Sequence, residues 1–138
     1  MNLTKSLLVP KYLLFVIALF WTGIVAYFCL VESSEIPTIN IPDLDKCVHT
    51  FFHFVFTLVW FLFLRKQLQR NNVIRPLFYS FLLSLFFGVG IEFMQQLYTT
   101  TRAGDFLDFI ANAIGAILAL FTVVFCNRFN VLNSILKN

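Results

Sequence analysis

The stretch LFYSFLLSLFFGVGIEFMQQL, residues 77–97, decides the fold. It is apolar for long enough to cross ~30 Å of hydrocarbon as a helix, which takes roughly 20 residues. Its one charged side chain is Glu92. Three other stretches share the pattern: Tyr12–Val31, Lys46–Leu64 and Phe106–Cys126. Together they predict an all-α, integral membrane four-helix bundle occupying residues 1–138 as one domain. Composition agrees. The chain is 59% hydrophobic and 12% charged, with 19 Phe and a mean hydropathy of +0.84. A soluble domain of this size could not hide that much apolar surface from water.

Threading the segments in order sorts the charges. One face receives Lys5, Lys11, Arg65, Lys66, Arg70, Arg75, Arg128 and Lys137. The other receives the acids (Glu32, Glu35, Asp43, Asp45, Glu92, Asp105, Asp108) with only Lys46 and Arg102. The positive-inside rule then predicts both termini to be cytoplasmic. The net charge of +3 is not a nucleic-acid signal, because topology alone calls for cations at those loops and helix ends. The expected partner is the lipid bilayer. The first apolar run exceeds the ~7–15 residues of a signal-peptide core, so it reads as a helix that stays. Cys29, Cys47 and Cys126 lack C-x-x-C spacing and read as small buried fillers, although a Cys29–Cys47 bridge is geometrically conceivable.

The outward ends of the helices hold the chemistry. Helix 2 opens with Asp45, Lys46, His49 and His53; the first, third and fourth recur every four residues and share one face. Helix 3 carries Glu92, Gln95 and Gln96. Helix 4 carries a stripe of Asp105, Asp108, Asn112, Gly115 and Ala119. At 1.5 Å rise per residue, Glu92 lies ~9 Å below Tyr98, Asn112 ~10 Å below Asp105, and His49 and His53 ~6 and ~12 Å below Asp45. Ionisable groups facing lipid are costly, so these should face one another in an outward-opening polar pocket among helices 2, 3 and 4.

Several of these residues also have plain structural readings. Asp105 with Asp108 suits an N-cap followed by a carboxylate in the first turn, and Asp43 or Asp45 suits a cap for helix 2. Lys46 suits snorkelling, and Gly115 with Ala111 and Ala119 suits close helix packing. Glu92 resists such an account, since a buried acid needs a partner such as Lys46, Arg102 or a charged His49. His49 and His53 at i and i+4, with Glu92 or Asp108, could ligate a metal, but that spacing is common without one. The reading is no metal and no cofactor.

The segments Asp45-Lys46-Cys47-Val48-His49, Glu92-Phe93-Met94-Gln95, Thr99-Thr100-Thr101-Arg102, Asp105-Phe106-Leu107-Asp108 and Asn112-Ala113-Ile114-Gly115 resemble, in order and spacing, the VanZ-like family of bacterial membrane proteins. The resemblance runs from about Asp45 to Leu120. It implies a polar set of Asp45, Lys46, His49, Glu92, Gln95, Arg102, Asp108 and Asn112, with Asp105 as an accessory, and an aromatic residue where His53 stands. It implies a bacterial cytoplasmic (inner) membrane protein associated with resistance to the glycopeptide teicoplanin.

Three functions compete. The first is binding of an amphiphilic or cell-envelope ligand, such as a lipid-linked molecule or a lipoglycopeptide. Lys46 and Arg102 would hold an anionic head group, and Phe-rich walls of helices 2 and 3 would take the lipid portion. The second is an enzyme on a lipid-linked substrate, with His49 as acid or base oriented by Asp45 or Glu92. No nucleophile with suitable spacing accompanies it. The third is a proton-coupled transporter, for which the inner halves of helices 2 to 4 supply no ionisable relay.

Overall fold

Four helices form where the apolar stretches run: α1 (Lys11–Leu30), α2 (Leu44–Gln67), α3 (Ile74–Tyr98) and α4 (Phe106–Arg128). The structure, a computed structural model, describes residues 9–31, 42–68, 73–100 and 104–129. Among the expected site residues, Arg102 lies outside them. Helices of 20, 24, 25 and 23 residues match the hydrocarbon thickness at 1.5 Å rise per residue. All four are long and apolar enough to span a membrane. Large apolar side chains also stand exposed around the bundle, with Phe20 70%, Phe86 72% and Phe121 70% accessible. In water that belt would be untenable; in lipid it is the solvent-facing surface. The chain is a multi-pass membrane protein.

Side-chain contacts fix the helix directions. Gln95, near the end of α3, donates through Nε2 to the Cys29 carbonyl near the end of α1 at 2.7 Å. His49, early in α2, meets Asn112, early in α4, at 3.0 Å. Thus α1 and α3 run one way and α2 and α4 the other. One end of the bundle is acidic, with Asp43, Asp45, Glu92, Asp105 and Asp108. The opposite end is basic, with Lys11, Arg65, Lys66, Arg75 and Arg128.

Helix α2 is central, packing on α1, α3 and most extensively on α4. The α2–α4 approach is close because Gly115 has no Cβ. A Cβ there would land on the Thr50 carbonyl and come within 3.0 Å of the Phe54 nitrogen. Ala111 and Ala119 continue the small-residue stripe, both buried, and Thr50 Oγ1 donates to the Ala111 carbonyl at 3.2 Å. Such close backbone approach gains dispersion contacts where lipid supplies no hydrophobic drive between helices. Helix α1 docks through indole donors: Trp21 Nε1 to the Phe52 carbonyl and Trp60 Nε1 to Thr22 Oγ1, each at 3.1 Å.

Two local expectations change. Asp43 occupies the α2 N-cap position without making a side-chain cap; its backbone is left-handed (φ 56), and its carboxylate lies 3.3 Å from Lys46 Nζ. Asp105 does cap α4, its Oδ1 accepting from the Leu107 N–H at 2.9 Å. Of the three thiols expected to be buried fillers, only Cys29 is buried; Cys47 is exposed, Cys126 is half-buried, and the three form no disulfide with one another.

Candidate functional site

His49 is the hub of the acidic end. It is 1% exposed, and three carboxylates surround it. Its Nε2 lies 3.9 Å from Asp45 Oδ1 and 3.8 Å from Asp108 Oδ2. Its Nδ1 lies 3.9 Å from Glu92 Oε1 and hydrogen-bonds Asn112 Oδ1 at 3.0 Å. Residues from α2, α3 and α4, placed at one depth by helical rise, therefore meet around one imidazole. Asn112 Oδ1 only accepts, so Nδ1 carries the hydrogen and a neutral ring keeps its lone pair on Nε2. That lone pair faces two carboxylates.

Glu92 is held from the chain that follows it. Its Oε2 accepts the Asp105 N–H at 3.1 Å. Gly104 makes this approach feasible, since a Cβ there would stand 2.8 Å from the Glu92 carbonyl oxygen. Among the described residues, His49 is the group within ion-pair reach of Glu92. Lys46, the alternative partner expected for Glu92, is instead with Asp43. The reason is geometric: Lys46 follows Asp45 on α2 and points about 100° round the helix from it.

Gln95 does not join His49. It is 2% exposed and engages α1 through the Cys29 carbonyl, one face away from Glu92. Nor do His49 and His53 share a site. His53 Nδ1 bonds Ser84 Oγ at 2.8 Å, and its ring packs beside Phe56 and Phe87, which stack on each other at 4.8 Å. Gly88 makes room for this, with its missing Cβ 3.1 Å from His53 Cε1 and 3.2 Å from Asn112 Nδ2. Ser84 was not singled out from the sequence. Its spacing, four residues before Gly88 and four after Ser80, was the available signal for a buried small-residue face.

An apolar groove of about 580 Å³ opens beside the cluster, between α2 and α4. Phe51 and Phe54 form one wall, Ile110 and Ile114 the other, and Lys46 with Asp43 stands at the polar rim. The Phe-rich wall of this groove comes from α2, with α4 opposite it. On the α3 side, the small residues Ser84 and Gly88 let His53 and Phe87 fill the space between the helices.

No family model matches the chain, and no solved structure matches it. The chain is similar to a protein of the fission yeast Schizosaccharomyces pombe, the uncharacterized protein C11E3.10, with 29% identity over 116 residues, 83% of this chain and 68% of that protein.

Proposed function

We propose that the chain binds an anionic amphiphile in the outer leaflet of a bacterial cytoplasmic membrane, as a VanZ-like protein with both termini cytoplasmic. The supporting observation is the α2–α4 groove, an apolar slot that reaches the lipid-facing surface and carries Lys46 at its polar rim. An acyl chain lies between Phe54 and Ile114 in this reading, and a phosphate or carboxylate head group displaces Asp43 from Lys46. The eight-to-two division of cations supports the orientation. The link to teicoplanin resistance rests on the family resemblance, and the acyl chain of that drug suits the same groove. The relative in a yeast favours a ligand that bacterial and eukaryotic membranes share, so an anionic phospholipid ranks ahead of a wall precursor.

Photo-crosslinking tests this. The purified full chain in nanodiscs, exposed to an anionic phospholipid with a photoreactive acyl chain, should label on α2 and α4 around Phe54 and Ile114. Ile114→Trp should block labelling by filling the slot, and Lys46→Gln should remove the preference over a zwitterionic analogue. Equal labelling of Ile114→Trp and wild type would overturn the reading.

One observation favours the enzyme alternative: a buried imidazole oriented on one nitrogen by Asn112 and faced on the other by carboxylates is the arrangement of a positioned acid or base. Time-dependent chemical change of the bound lipid, lost in His49→Asn, would favour that reading over binding alone.

A further inference from the structure

At the acidic end, three side chains present lone pairs to one another. His49 Nε2, a carboxylate oxygen of Asp45 and a carboxylate oxygen of Asp108 all lie within 4.8 Å of one another. The 3.8 and 3.9 Å separations from Nε2 are too long for hydrogen bonds. Asp108 is 6% exposed; its Oδ2 is the oxygen that faces Nε2, and the Oδ1 of the same carboxylate has no hydrogen-bond partner. A buried carboxylate oxygen left without a donor is costly and calls for a missing partner. The nearby ammonium does not answer that call, since Lys46 Nζ is with Asp43.

We infer that Asp45, His49 and Asp108 form a binding site for one first-row divalent cation, for which Zn²⁺ is the natural probe. The inference goes beyond the amphiphile reading and stands without it. The donor set is one imidazole nitrogen and two carboxylates with no thiolate, which suits Zn²⁺ or Mn²⁺ rather than a soft ion. The support behind the imidazole is also that of a metal ligand. Asn112 Oδ1 takes the Nδ1 hydrogen, which fixes the tautomer with Nε2 free to coordinate. Bonds of about 2.0–2.2 Å in a tetrahedral site set ligand atoms about 3.4 Å apart, so each carboxylate oxygen needs to close on Nε2 by about half an ångström and the two oxygens on each other by up to about 1.4 Å. Asp45, whose side chain is 58% exposed, has the freedom to make that adjustment by rotation. Three protein ligands leave a coordination position open toward the membrane surface. His53, which the i, i+4 spacing paired with His49, takes no part, because its Nδ1 is on Ser84.

The test uses the full chain, with any purification tag removed, in nanodiscs of zwitterionic lipid, so that an anionic ligand plays no role. After chelator treatment, Zn²⁺ is titrated calorimetrically and retained metal is measured by elemental mass spectrometry. One Zn²⁺ per chain is expected. His49→Asn and Asp45→Asn should remove that stoichiometric binding, and Asn112→Ala should weaken it by about tenfold or more through loss of orientation. Asp45 is exposed enough for its variant to fold, and His49→Asn retains an amide at the position that bonds Asn112. Absence of stoichiometric Zn²⁺ and Mn²⁺ in wild type, or equal binding by wild type, His49→Asn and Asp45→Asn, would overturn the inference.

Discussion

His49 and Asn112 are 63 residues apart in the chain, yet their buried side chains meet at 3.0 Å. The bond joins α2 to α4, and Gly115, one turn further along α4, brings the same two helices into backbone contact. The polar bond and the close packing therefore depend on each other. If α4 moves away from α2, both are lost, and His49 is left buried without its neutral partner.

Gly115→Ala should accordingly destabilise the bundle. The new methyl would overlap the Thr50 carbonyl, which is backbone and cannot swing aside, so overpacking of about 1–3 kcal/mol is expected. Gly23 is the control. Nothing lies within 4 Å of a Cβ there, and Gly23→Ala should be neutral or stabilise by up to ~1 kcal/mol through helix propensity. Unfolding in mixed micelles measures both; equal losses would show that the α2–α4 approach is looser than described.

Much of this was legible in the chain, for physical reasons. Lipid thickness and hydropathy dictate the helices, and a helix advances by a constant rise, so the common depth of His49, Glu92 and Asn112 follows from counting. The Asp105 cap follows from residue type at a helix start. What counting does not supply is rotation. Helix α3 is apolar on most sides, and nothing in its sequence ranks the face of Glu92 above that of Gln95; contact with α1 decides it. Lys46 likewise follows two acids, Asp43 and Asp45, and the left-handed backbone at Asp43 goes with its pairing to Asp43. The groove between α2 and α4 arises because Gly115 draws the helices together at one depth, leaving the bulkier Phe51, Phe54, Ile110 and Ile114 to line its walls. That is a property of two helices at once.

The His53–Ser84 bond gives a second stability test. Ser84 is fully buried and is the partner of His53 Nδ1, while His53 Nε2 has none. Ser84→Ala should cost about 1–3 kcal/mol by stranding the imidazole. Adding His53→Leu should recover part of that loss, since removing both polar partners relieves the desolvation penalty while roughly keeping volume. Strictly additive losses in the double variant would mean that the bond carries no weight.

The proposed orientation can be read with single cysteines in a chain otherwise free of them. Asp43→Cys lies at the acidic end and Arg128→Cys at the basic end, both on exposed side chains. In intact bacterial cells a membrane-impermeant maleimide should label the first and spare the second. The opposite pattern would reverse the orientation and move the proposed ligand to the inner leaflet.

The sharpest functional variant is His49→Asn, because the two ring nitrogens serve different neighbours. Nδ1 ties α2 to α4 through Asn112, whereas Nε2 faces Asp45 and Asp108. An asparagine amide reaches about as far as Nδ1, so its N–H can still donate to Asn112, but nothing replaces Nε2. Protein abundance and unfolding should change little, within about 1 kcal/mol for exchange of one buried hydrogen bond by another. Function should be lost, read as metal retention or as teicoplanin susceptibility of a sensitive host expressing the chain, whereas lipid labelling in the α2–α4 groove, which His49 does not line, should persist. His49→Leu supplies the contrast: it removes both nitrogens and should lose stability as well as function, leaving Asn112 unpaired against a hydrocarbon side chain. If His49→Asn keeps full function, the imidazole serves only to join α2 and α4, and the acidic end is a structural device.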